Sequence, residues 1–335
     1  MTILGVETSC DETSVAILAE HVVLVNLVSS QSLHQQFGGI VPEYASREHL
    51  RIIQNLTTEA LTKSGLTIQD MDAIAVTRGP GLMGALLVGL SFSKGLAYVS
   101  GKPLIGVNHV EGHIMANFLD HPNLKFPFLG LLASGGHTLL VNVQNFQEYE
   151  IWGRSLDDAA GEAFDKAARI LQLGFPGGPL IDQLAATGNP EFYPFPRAKT
   201  ERENQDFSFS GLKTAMLYLT RQKGNDWVQK HLADLCASYQ EAIIDVLLTN
   251  TLNVARQRNV HRLVLAGGVV ANSRLRAVFQ NAALREGLEI YFPSLKYCTD
   301  NAAMIAYTGA ELYKRQQFSS WDISAIPNLP LISNN

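Results

Sequence analysis

Much that would make this sequence easy to classify is missing from it. Its 335 residues include 3 cysteines and 3 tryptophans, and only 17% are charged, below the roughly 25% of an average globular chain. That composition excludes a disordered protein, a coiled coil and a charge-rich tail. Cys10, Cys236 and Cys298 are an odd number, far apart and without a CxxC pair, which suits free thiols in a reducing cytoplasm better than a disulfide frame. No long apolar run is uninterrupted: Leu82–Val99 carries Gly, Ser and Lys94, so a membrane span is not expected. The amino terminus has acids at Glu7, Asp11 and Glu12 and no basic leader, the wrong pattern for a secretory signal. There is neither a Walker A nor a G-x-G-x-x-G, which leaves P-loop and Rossmann readings with little support. The formal charge of −5 argues against a globally basic nucleic-acid binder, although not against a local patch.

What is present is apolar material, 46% of the chain, enough for a large core and, by length, about two domains. Strand-like and helix-like runs alternate, which predicts an α/β protein. Ile3–Val6 and Ser14–Leu18 read as strands joined by the polar turn Glu7–Thr13, and a helix over Ala45–Ser64 stops at Gly65. Ala73–Thr77 and Leu104–Val107 are further strands, the first followed by an apolar helix to Val99. The second runs into a helix bearing His109 and His113. Phe128–Ala133, the turn Ser134-Gly135-Gly136 and Thr138–Val143 then repeat the form of the first eighteen residues, an echo of architecture more than of identity. Helices over 158–172 and 226–256, a strand Arg262–Leu265 and a closing helix Asp300–Lys314 complete the pattern. The economical picture is two α/β lobes sharing a cleft, residues 1–125 with 301–335 and residues 126–300.

The sharpest local signal is His109-Val110-Glu111-Gly112-His113. Positions i and i+4 share a helix face, so both imidazoles can reach one cation. Glu111 lies about 200° round from His109 and points away from that face. The zincin order HExxH, with its glutamate directly after the first histidine, is therefore not reproduced. Such a pair is as often plain helix surface, and a third ligand must come from elsewhere. Asp300 is a candidate, with an N-cap as its ordinary role. Three glycine turns, Ser134-Gly135-Gly136, Pro176-Gly177-Gly178 and Ala266-Gly267-Gly268, each read as following a strand and together favour a nucleotide cleft.

Asp158, Glu162 and Asp165 form one helical stripe, the first two read as a solvated face and Asp165 as a ligand acceptor. Asp11 and Glu12 can act as base or orient a water or metal, or simply tip a hairpin. Asn272 can touch a nucleotide or cap a helix. Arg197, Lys199, Arg202, Lys213, Arg221 and Lys223, interleaved with Phe195, Phe207 and Phe209, can meet an RNA backbone or line a solvated loop.

Ten short segments in order carry a resemblance: Glu7–Thr13, Gly38–Glu43, Gly79–Leu82, His109–His113, Ser134–Thr138, Asp157–Lys166, Pro176–Pro179, Phe207–Thr214, Ala266–Asn272 and Cys298–Met304. The chain resembles the bacterial tRNA adenosine threonylcarbamoyltransferases, once labelled O-sialoglycoprotein endopeptidases, from its first strand to its last helix. The resemblance implies an actin-like, sugar-kinase-like fold with a nucleotide cleft between duplicated lobes. It also implies transfer of threonylcarbamoyl from threonylcarbamoyl-AMP to the N6 amine of the adenosine 3′ of the anticodon, in tRNAs reading codons that begin with A. Carried over by position, His109, His113 and Asp300 are metal ligands for one Fe²⁺ per subunit, another divalent ion being the alternative. Leu132, Ala133, Ser134, Gly135, Gly136, Asp165, Gly178, Asp182 and Asn272 are substrate contacts, and Asp11 is the catalytic acidic residue. Beyond tRNA, the implied partners are a shorter paralogous subunit and a P-loop ATPase, in the cytoplasm and without a membrane. The competing readings are a metallopeptidase built on the two histidines, an ATPase or sugar kinase of the same fold, and a non-catalytic nucleotide-binding scaffold.

Overall fold

The computed structural model describes residues 1–198 and 205–332, the Gln36 side chain excepted. Its first strands are β1 (Thr2–Glu7), β2 (Glu12–Ala19) and β3 (Val22–Ser30), followed by helix α1 (Pro42–Ser64), β4 (Ala73–Gly79), α2 (Met83–Ser100), β5 (Leu104–Asn108) and α3 (His109–Met115). Then come β6 (Phe128–Ala133), β7 (Thr138–Asn145), β8 (Glu148–Arg154), α4 (Ala160–Ile170), α5 (Gly177–Ala185) and α6 (Ser210–Lys223). The chain closes with α7 (Leu232–Gln257), β9 (Arg262–Ala266), α8 (Ser273–Glu286), β10 (Glu289–Tyr291) and α9 (Ala302–Lys314).

These elements form two compact units, Met1–Leu124 with Pro293–Asn335, and Lys125–Phe292. The second boundary falls before Pro293, not at the 300/301 expected, because the segment ahead of α9 folds with the first unit: Ser294 N donates to Asp120 at 2.7 Å. Asp300 thus belongs to the same unit as His109 and His113.

Each unit has a five-stranded sheet, ordered β3-β2-β1-β4-β5 in the first and β10-β9-β6-β7-β8 in the second. In both, the first three strands form an antiparallel meander, and two further strands add in parallel beside the first of them. The repeat read from sequence is therefore a repeat of topology. The strands missed by sequence, β3, β8 and β10, all lie at sheet edges. There one side of the ladder is unpaired and apolar alternation weakens; Val22, Leu24 and Val28 of β3 are exposed. Helix α6 was also missed, although Leu212, Met216 and Leu219 mark its buried stripe. The helix expected over 226–256 is interrupted at His231, whose φ of −113° is not helical.

In the first unit, Leu4 and Val6 of β1 join Ile74 and Val76 of β4 in a core with Ile53 of α1 and Leu86 and Leu90 of α2. Helix α2 is long and apolar enough to cross a membrane, but it spends one face on this core. Alternation along β1 turns Gly5 to the opposite face, where α9 lies so close that a Cβ on Gly5 would meet the Ala302 carbonyl oxygen and approach Ala306 N to 2.8 Å. The absence of that one carbon lets the start of α9, and with it Asp300, settle against the sheet. Replacing Gly5 by Ala should destabilise the protein by about 1–3 kcal/mol through overpacking. Gly95→Ala, in an exposed part of α2 with open space around its Cβ, should instead stabilise by up to about 1 kcal/mol. Denaturant unfolding of the two variants checks the contrast.

Candidate functional site

Strand β5 ends at Asn108, whose side-chain oxygen accepts from Val110 N at 2.9 Å and from Glu111 N at 3.3 Å, starting α3. His109 and His113 are consequently one turn apart, with ring centroids separated by 4.7 Å. Asp300 arrives from the loop before α9. It does not take the N-cap role that was its ordinary alternative: Asn301 does, accepting from Met304 N at 3.0 Å. The Asp300 carboxylate instead turns to the histidines, 3.1 Å from His113 Nε2 and 3.5 Å from His109 Nε2. One ligand atom from each of the three lies within 4.8 Å of the others, and they form the one such cluster among the described residues. Glu111 is buried but stands outside it.

The surroundings are strongly acidic. Glu7, fully buried, accepts hydrogen bonds from Ser9 N and Thr77 Oγ1, and its Oε2 lies 3.1 Å from His109 Nδ1. Ser9 Oγ is 3.2 Å from the same nitrogen. Burial alone would lower the His109 pKa, but the carboxylates of Asp300 and Glu7 outweigh it and push it up to about 9. Glu12 is driven well above the usual carboxylate range by burial, then by Asp300 and Asp11. Without an ion both His109 nitrogens therefore carry protons, Nδ1 toward Glu7 and Nε2 toward Asp300. Because a carboxylate only accepts, Glu7 favours keeping the Nδ1 proton when an ion replaces the one on Nε2. Two imidazole nitrogens and a carboxylate oxygen, in an anionic setting, fit a divalent transition metal.

Sequence reasoning overlooked what holds the Asp11 turn. His49 of α1 is fully buried, its Nε2 2.9 Å from the Cys10 carbonyl and its Nδ1 2.7 Å from Thr13 Oγ1. Gln31 N donates to the Asp11 carbonyl at 3.2 Å. Burial lowers the His49 pKa, consistent with a neutral ring that donates through Nε2 and accepts through Nδ1. Its only sequence signal was a histidine in line with Ala45 and Ile53 on the buried face of α1.

In the second unit, β6 delivers Leu132 and Ala133 to the turn Ser134–Gly136, closed by Ser134 N donating to the His137 carbonyl at 2.8 Å. Gly135 and Gly136 have open space where a Cβ would stand, as does Gly178. Gly267, at φ +94°, brings the end of β9 against the Ala133 backbone so closely that no side chain fits. Pro176-Gly177-Gly178 does not follow a strand as expected. It joins α4 to α5, and Asp165 on α4 accepts from Gly177 N at 2.7 Å. Asp182 accepts from Ser273 N and Oγ, both at 2.9 Å. Asn272 caps α8 through Leu275 N at 2.8 Å, while its amide donates to Gln240 Oε1 at 2.6 Å.

Two surface readings are revised in part. Asp158 precedes α4 instead of lying on it, and Lys166 bridges it at 2.6 Å and Glu162 at 2.8 Å, so this is an ion-pair cluster. Phe195, Phe207 and Phe209 are core residues packed with Tyr239 and Met216, unavailable to stack on bases. Arg197 pairs with Asp245 at 2.8 Å; Lys199 and Arg202 lie outside the described residues.

The family model for tRNA N6-adenosine threonylcarbamoyltransferase matches residues 22–307. The chain belongs to this family. A transferase of that name from Thermosipho africanus is 49% identical over 332 residues, spanning 99% of this chain and all of the relative. One from Fervidobacterium nodosum is 50% identical over 98% of each chain. Among solved structures, component A of the (R)-2-hydroxyglutaryl-CoA dehydratase of Acidaminococcus fermentans superposes with a TM-score of 0.55 at 15% identity, covering 93% of this chain and 99% of that one. That likeness shows the fold alone, the actin-like, sugar-kinase-like one. This family member is thus a transferase acting on tRNA.

Two predictions follow from this geometry. Asp300→Ala or His113→Ala should abolish stoichiometric retention of an added divalent transition metal, as read by metal analysis after desalting, while Glu111→Gln retains it. Asn272→Ala should lower stability by about 0.5–2 kcal/mol through loss of the α8 cap, measured by thermal unfolding without ligands.

Proposed function

We propose that this chain transfers the threonylcarbamoyl group of threonylcarbamoyl-AMP to the N6 amine of the adenosine just 3′ of the anticodon, in tRNAs reading codons that begin with A, releasing AMP. Family membership supports the reaction. Within the chain, the observation that carries the reading is the convergence of His109, His113 and Asp300 from segments far apart in sequence.

The chemistry asks for such a centre. The exocyclic amine of adenine is a poor nucleophile, its lone pair being delocalised into the ring, so the carbonyl it attacks must be polarised. His109, His113 and Asp300 would hold a divalent ion that would supply that Lewis acidity, and the donor set supports Fe²⁺. The chain's other candidate groups have separate tasks. Gly135, Gly136 and Gly178 let backbone N–H groups approach the adenylate, with Asp165 bracing the Gly177 turn and Asp182 and Asn272 fixing the start of α8. The amine nitrogen forms a bond to the carbamoyl carbon, the bond from that carbon to the phosphate oxygen breaks, and AMP departs with the electron pair. Asp11, in a turn fixed by His49 and Gln31, receives the amine proton. A target base in a loop costs less to splay out than one in a duplex.

Exposed apolar residues on α1 and α2, Tyr44, Leu50, Met83 and Leu87 among them, support docking of a shorter paralogous subunit, with a P-loop ATPase completing the cytoplasmic assembly. Incubated with those partners, labelled adenylate and unmodified tRNA, the wild-type protein should label the tRNA. Asp11→Asn should slow labelling by about 10²–10⁴-fold, and His109→Ala should abolish it. An unlabelled tRNA with wild type would overturn the reading.

A further inference from the structure

Glu7 takes no part in the ligand set, yet it is the most completely enclosed carboxylate next to it. Its relative exposure is 0%, and burying a charge is costly unless it is paired and hydrogen-bonded. Three donors meet that need. Oε1 receives Ser9 N–H, while Oε2 receives the Thr77 hydroxyl of β4 and faces His109 Nδ1 at 3.1 Å. Held from both sides, the carboxylate cannot rotate away.

We propose that Glu7 is a positioning residue of the metal centre: its carboxylate accepts the Nδ1 proton of His109 and so aims the Nε2 lone pair at the ion. The inference rests on the reading of His109, His113 and Asp300 as a metal site. The logic is one of tautomers. A neutral imidazole carries one N–H, and the nitrogen facing a carboxylate must be the one that donates. Ser9 Oγ, also within reach of Nδ1, can donate or accept and so cannot enforce the choice. Outer carboxylates on ligating histidines raise ligand basicity and fix ring orientation. An amide cannot replace this one. With its oxygen toward His109 it sets an NH₂ against Ser9 N–H; with its NH₂ toward His109 it forces the proton onto Nε2, where the ion would bind.

The test uses full-length protein and Zn²⁺ as a diamagnetic probe, with affinity measured by chelator competition. Glu7→Gln should bind Zn²⁺ about 10–100-fold more weakly than wild type. Thr77→Val removes a Glu7 donor without touching His109, so it should weaken folding but keep most of the affinity. Equal affinities for Glu7→Gln and wild type would overturn the proposal while leaving the metal site standing. A wild type that binds no Zn²⁺ would instead remove the site and the inference together. A second measurement needs no variant: in ¹⁵N spectra of the Zn²⁺-loaded wild type, His109 should show a protonated Nδ1 with a far-downfield proton and a metal-bound Nε2. A proton on Nε2 would overturn the proposal even if Glu7→Gln failed to fold.

Discussion

The first unit carries a charge problem that most of its local structure exists to manage. Glu7, Asp11, Glu12 and Asp300 gather around the end of β1, largely out of water, and the charge partners found for Glu7 and Asp300 are histidines. Carboxylates so placed repel one another and lose hydration, and neither cost is small. Without an ion the cluster relieves itself by holding a proton on His109 and raising Glu12. A divalent cation would resolve the same strain by taking the place of the extra proton on His109, the Nδ1 proton staying with Glu7. The acidity that looks like a liability in folding is thereby the source of affinity, and metal binding should displace protons.

Keeping those groups in place falls to residues with no chemistry of their own. Asn108 starts α3 so that both histidines project from its first turns, and Asn301 starts α9 so that Asp300 need not. Gly5 admits α9 to the sheet. The second unit, built on the same strand order, works differently. Its candidate contacts are mostly backbone at glycine turns, and its polar side chains at Asp165, Asp182 and Asn272 spend their hydrogen bonds on other parts of the protein. One topology therefore carries two kinds of candidate site residue, side chains in one copy and mostly backbone in the other.

How far the sequence could be read follows from where each signal resides. Central strands such as Phe128–Ala133 are continuous apolar runs, and His109 and His113 announce themselves by helical spacing. Asp300 had no local signature, since a carboxylate one residue before an asparagine cap looks like a cap itself. Only its position relative to groups far along the chain gives it meaning. Glu7 was visible as an acid at the end of a strand, but its role depends on Thr77 and His109, both remote in sequence. The aromatic residues near Pro194 misled for a related reason: interleaved with basic residues they read as part of a polar surface segment, whereas long-range packing placed Phe195, Phe207 and Phe209 in the core.

The same geometry explains why two histidines on a helix need not mean peptide hydrolysis. In a zincin the glutamate beside the first histidine is placed to activate the water bound between them. Here Glu111 is two residues on, its backbone N–H is taken up in the Asn108 cap, and it stands apart from the ligand cluster. The acids that do gather with the cluster, Asp11 and Glu12, come from the β1–β2 turn, pinned through backbone carbonyls by His49 and Gln31. A base delivered on a turn can meet a nucleophile brought by a second substrate and is not committed to a water on the ion. That arrangement suits acyl transfer to an amine, in which the nucleophile arrives with its own proton to lose.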